Sequence, residues 1–156
     1  MKRAFYASLF LCAASTLLGC GPKKPDGMPK LAPVVVTVVQ EGTPLAEANV
    51  SFYAEAQENR QWACGGVTDA SGKLTVTTRG KYPGMPLGKY KVTVEKTLVE
   101  DPPLTDEEFK ATPPKIYQCV ESKYLAENTT DLAVEVVDGK NEFTLDAGKA
   151  IKEKKN

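Results

Sequence analysis

Beyond residue 33 the apolar residues fall into short clusters that alternate with polar ones, the period of a strand rather than of a helix. The first is Val34 to Val39, a nearly continuous run of valine that Gln40-Glu41-Gly42-Thr43-Pro44 turns. Val50, Phe52 and Ala54 then alternate with Ser51 and Tyr53. A short strand around Gly66 to Thr68 runs into Asp69-Ala70-Ser71-Gly72, a tight-turn sequence in which Gly72 can take a positive φ. Leu74 and Val76 alternate with Thr75 and Thr77. After the turn Tyr82-Pro83-Gly84-Met85-Pro86-Leu87-Gly88 comes the clearest alternation, Tyr90, Val92 and Val94 around Lys91 and Thr93. Near the end Leu132, Val134 and Val136 alternate with Ala133 and Glu135. Asp138-Gly139-Lys140 then leads to Phe143 and Leu145, so these last two strands read as a hairpin on an Asp-Gly turn.

Seven short strands without a long amphipathic helix between them predict an all-β domain over residues 34–147. The expected architecture is a seven-stranded antiparallel two-sheet sandwich, transthyretin-like or Ig-like with Greek-key connections. Residues 97–131 form a long crossover rich in proline and acid. Within it Thr105-Asp106-Glu107-Glu108 fits a capping box, which predicts a short helix over residues 106–111, stopped by Pro113 and Pro114. A connection of that length is either functional or without fixed structure.

The first 33 residues have a different pattern. Basic Lys2 and Arg3 precede an apolar run from Ala4 to about Leu18, then small Gly19 and Cys20, the order of a signal peptide over residues 1–19. At roughly 15 residues the run is shorter than the ~20 a membrane-spanning helix needs. Leu17-Leu18-Gly19-Cys20 resembles the lipobox of bacterial lipoproteins, which implies a diacylglycerol on the Cys20 sulfur and cleavage before it; the alternative is an ordinary secretory signal. Several acyl chains on one residue give stable anchoring. Gly21, where an inner-membrane retention signal would have Asp, favours the outer membrane of a cell envelope. Residues 20–33, lipidated Cys20 and a Pro- and Lys-rich stretch, read as an extended tether.

Charge and cysteine usage narrow the function. The chain has 20 basic and 20 acidic residues. Loss of Lys2 and Arg3 with the signal leaves a mildly acidic protein with no electrostatic reason to bind nucleic acid. There is no histidine, which removes the commonest general base and metal ligand and every Ser-His or Cys-His nucleophile. No cofactor or metal is expected. Cys12 leaves with the signal and Cys20 takes the lipid, so Cys64 and Cys119 remain as the expected disulfide in an oxidising compartment, the alternative being two separate buried thiols.

Three stretches together resemble carboxypeptidase regulatory-like domains. Gly42-Thr43-Pro44-Leu45-Ala46-Glu47-Ala48-Asn49-Val50 is similar to their opening, Gly66-Val67-Thr68-Asp69-Ala70-Ser71-Gly72-Lys73-Leu74 to their hairpin, and Gly88-Lys89-Tyr90-Lys91-Val92-Thr93-Val94 to a later strand. The resemblance implies a transthyretin-like sandwich whose motif residues set turns and fill the core without carrying chemistry. The C-terminal part, with Ser122-Lys123-Tyr124 and Leu132 to Leu145, more loosely resembles small lipid-anchored proteins of planctomycetes and related bacteria.

Among exposed candidates, Trp62 follows the polar loop Ala56-Gln57-Glu58-Asn59-Arg60-Gln61. It would either cap the core or, with Tyr53 and Tyr82, form an aromatic platform for a sugar ring or a protein partner. Asp69 with Ser71 reads as a turn rather than a calcium loop, which needs further oxygen ligands. Glu100, Asp101, Asp106, Glu107 and Glu108 read as solvated charge rather than a glycosidase pair, and residues 148–156 as a frayed basic tail. The expected function is a non-catalytic, lipid-anchored envelope module that binds or scaffolds an envelope protein or glycan. The alternative is a structural envelope protein without a discrete ligand.

Overall fold

The computed structural model describes residues 23–100 and 114–155. Cys20, the signal segment and the expected helix at 106–111 lie outside the described residues. Among the described residues the chain is all-β, with only two short 3₁₀ turns, Gln57–Asn59 and Ser122–Tyr124. The first strands are β1 (Leu31–Ala32), β2 (Val34–Gln40), β3 (Thr43–Pro44), β4 (Asn49–Ala54) and β5 (Cys64–Val67). Then come β6 (Lys73–Thr75), β7 (Thr77–Thr78), β8 (Tyr82–Pro83), β9 (Met85–Pro86) and β10 (Gly88–Glu95). The last are β11 (Thr97–Glu100), β12 (Lys115–Gln118), β13 (Ala133–Val136), β14 (Asn141–Asp146) and β15 (Glu153–Lys154).

The strands are shorter and more numerous than the alternation predicts because the chain repeatedly changes sheets. A six-stranded antiparallel sheet has the order β13-β10-β4-β5-β7-β8, and a second sheet joins β14, β2 and β3, with β6 also on β2. The turn at Asp69 to Gly72 passes the chain from β5 in the first sheet to β6 in the second. Val76 passes it back, its N–H donating to Val34 O at 3.0 Å. In β2 the β-branched residues suit a pleated, half-buried surface: Val34, Val36 and Val38 point inward and Val35, Thr37 and Val39 are half-buried. They join Val50 and Phe52 of β4, Tyr90, Val92 and Val94 of β10, and Leu145 of β14 in one contiguous core.

Two pairings differ from expectation. β13 and β14 do not form a hairpin: β13 pairs with β10, and β14 lies parallel to β2, with Asn141 opposite Val34. Asn141 brings this about. Its Oδ1 accepts Val137 N–H at 2.9 Å and its Nδ2 donates to Val137 O and Gly139 O, so the side chain takes the groups a hairpin would have paired. Nor is the sheet system wholly antiparallel, because of β2 and β14.

The ends of the domain are more ordered than composition suggests. β1 pairs with β9 and Ala32 is buried, so the fold takes up part of the expected tether. Tyr82 Oη donates to Lys23 O at 3.1 Å, which holds the segment still closer to its start. The expected frayed tail contains β15, which pairs with β12 and completes a three-stranded sheet with β11. Ion pairs of Lys152 with Glu100 and of Lys155 with Glu95 fasten it. This arm occupies part of the expected crossover and joins the body where β2 ends, through Gln40 Nε2 donating to Cys119 O and Lys149 O.

Cys64 and Cys119 are both free thiols, which corrects the expected disulfide. Cys64 lies opposite Phe52, itself opposite Val92, whereas Cys119 N–H bonds to Lys96 O. Val92 and Lys96 are four residues apart, about 13 Å along a strand, and two strand spacings add about 10 Å. A disulfide spans at most about 7 Å between Cα atoms.

Candidate functional site

The polar loop before Trp62 is wound by its own backbone. Asn59 N–H donates to Ala56 O, Arg60 N–H to Gln57 O and Trp62 N–H to Asn59 O, while Asn59 Nδ2 ties the loop to Leu87 O at 3.0 Å. The curl returns the chain to the sheet as β5 and leaves Trp62 only 6 % exposed. The Arg79 guanidinium carbon sits 4.4 Å from the centroid of the indole ring, a contact of about 1 kcal/mol. Arg79 is held there by its left-handed backbone, φ 54°, and by Nη2 donating to Gln61 O. One indole face is therefore already occupied.

Beside this stack lies a cavity of ≈ 240 Å³. Ser51 and Tyr53 line it from the outward face of β4; Asn59, Arg60 and Trp62 line it from the loop, and Cys64 from β5. Tyr53 is the open aromatic surface, at 39 % exposure. The volume is below the ~300 Å³ of a drug-sized pocket and suits one ring or one side chain. Cys64 is no nucleophile here: burial pushes its thiol up, opposed by a hydrogen bond with Thr78, so it stays protonated at neutral pH.

A second depression of ≈ 530 Å³ adjoins the first, lined by Glu55, Lys91, Glu127, Asn128 and Thr130. Lys91 stands opposite Tyr53 in the β4–β10 register, so the floors of the two are neighbours on one sheet face. Arg60 of the first pairs with Glu127 of the second, Nη2 to Oε1 at 2.6 Å. The far wall is fixed by Thr130, whose buried hydroxyl donates to Val92 O at 2.7 Å and accepts from Leu132 N–H.

The structure brings together two of the three expected aromatic residues, Trp62 and Tyr53. Tyr82 is elsewhere, buried on β8 against Lys23. Lys91, Glu127 and Asn128 were not legible as site residues. Lys91 is an ordinary outward position of an alternating strand, and Glu127 reaches Arg60 only through the fold. Asp69 closes its own turn: Oδ1 accepts from Ser71 N–H, Ser71 Oγ and Lys73 N–H, and these bonds, the Ser71 hydroxyl foremost, hold its carboxyl below the usual range. Of the acidic residues in the crossover, Glu100 is paired with Lys152, and the others named lie outside the described residues. The chain matches no family model, and no curated protein or solved structure is significantly similar to it.

Proposed function

We propose that this protein is a non-catalytic module of a bacterial cell envelope, acylated on Cys20 and held to the membrane, whose sheets form a sandwich that presents one face to an envelope protein or glycan. The observation that carries the reading is the cavity beside Tyr53 and Trp62, a concave aromatic and polar surface on a chain without histidine. The order of basic, apolar and small residues before Cys20 supports the anchor. Burial of the indole favours a second reading, a structural envelope protein in which Trp62 caps the core.

A photo-crosslinking side chain placed at Tyr53 in intact cells separates the two. Binding predicts a discrete adduct from position 53 that is absent from position 99, where Val99 is also exposed but lies on β11, outside the cavity lining. No adduct, or the same adducts from both positions, would support the structural reading. Intact mass of the membrane-extracted protein should show acylated Cys20 as its first residue, and a product beginning elsewhere would remove the anchor.

A further inference from the structure

We propose that the two adjoining depressions form one groove for a neutral oligosaccharide, divided by the Arg60–Glu127 pair, which opens to bind sugar hydroxyls. The inference rests on the reading above and names its ligand. Charge sets the first limit. Arg60 and Lys91 are balanced by Glu55 and Glu127 within the two linings, so the groove offers no field for a polyanion or polycation.

Polarity sets the second. Hydroxyl, amide, carboxylate and guanidinium groups stand among apolar lining from Phe52, Ala54, Trp62 and Ala63 around one open aromatic surface, Tyr53, a mixture that suits a sugar ring with one apolar face and a polar rim. Backbone pairing sets the third. A peptide that adds to a sheet needs a free strand edge, but the floor here is the face of β4 and β10, each paired on both sides.

The divider is suited to displacement. Its side chains are 43 % and 34 % exposed, and exposed ion pairs of this kind are weak. When it opens, Arg60 offers up to five donors and Glu127 two acceptor oxygens, enough to replace the pair by bonds to neighbouring hydroxyls. The first depression suits one ring and the second lies next to it across Lys91, so occupancy of both requires a chain of at least two sugars.

Trp62 is the sole tryptophan and borders the groove, so its emission reports occupancy. The mature full-length protein, in detergent, is titrated with neutral α- and β-linked glucose oligomers and N-acetylglucosamine oligomers of one to six units, with a sulfated oligosaccharide as control. The expected result is a saturable change whose affinity rises about tenfold from monosaccharide to tetramer. Tyr53→Ala should weaken binding by about tenfold at every length, and Glu127→Gln should weaken the oligomers more than the monosaccharide. Far-UV circular dichroism controls for misfolding, and a Tyr53→Phe variant, which keeps the ring, should bind more tightly than Tyr53→Ala. The proposal fails if no neutral oligomer gives a saturable response, if length has no effect, if the sulfated sugar binds better, or if folded Tyr53→Ala binds as wild type. A protein adduct at position 53 without a sugar response overturns the groove and keeps the broader reading. Sugar binding by a protein whose Cys20 is not acylated does the reverse for the anchor.

Discussion

Gln118 is 5 % exposed at the end of β12, and neither its Oε1 nor its Nε2 has a hydrogen-bond partner among the described residues. A buried amide in that state costs about 1–3 kcal/mol. Gln118→Met, similar in length and apolar, is expected to raise stability by about 1 kcal/mol in chemical denaturation. Unchanged or lower stability would mean that an ordered water serves the amide. The thiols give a second test. Cys64 is buried and its thiol pushed up, whereas Cys119 is partly exposed, so iodoacetamide should label Cys119 in the native protein and Cys64 only after unfolding. Mass mapping that found a Cys64–Cys119 crosslink would contradict the structure directly. These residues also mark where sequence reasoning stops. An even pair of cysteines in a chain read as exported argues for a bridge, but pairing depends on strand register, which neither cysteine encodes. Trp62 drew notice by its polar neighbours, yet Arg79, which covers its ring, lies in a different turn.

At the level of elements, the alternations at 50–54, 90–94 and 132–136 were legible because each has one face in the core, and β4, β10 and β13 follow them as neighbours in one sheet. The sheet that each shorter strand joins was not. The turn at Asp69 is a local event, written in Asp69 and Gly72, and nothing local says that β6 then pairs with β2. Two segments judged too polar to fold are ordered by distant partners: β1 by β9 and β15 by β12. Gly84 tests the first. It has φ 91°, and a Cβ there would strike the carbonyl of Ala32, so Gly84→Ala should destabilise by more than about 1 kcal/mol and loosen β1. Truncation after Ala150 tests the second. Removing β15 with Lys152 and Lys155 should raise amide exchange in β12 and leave β4 and β10 protected; unaltered exchange in β12 would return the tail to a frayed state.

For the molecule as a whole, acid is the expected threat. Asp69, Glu100 and Asp138 are all held below their ordinary values of 3.8, 4.5 and 3.8, chiefly by hydrogen bonds from Ser71, Lys152 and Lys30. The fold favours their ionised forms. Their contribution is complete above those values and is lost as pH falls through the lower folded ones. The unfolding midpoint should therefore hold level from about pH 8 to 6 and fall below about pH 4.5, with Asp69→Asn reducing the acid slope; a midpoint insensitive to acid would refute the assignment. Timing is a separate matter, set by the parallel pairing of β2 and β14. Val34 meets Asn141 across 107 residues of chain, so one flank of the central valine strand stays bare until synthesis has passed Asp146. Loop closure over such a distance makes completion late and slow. A chain not yet made through Asp146 thus lacks a strand it needs to finish its core, and final folding is deferred until β14 arrives.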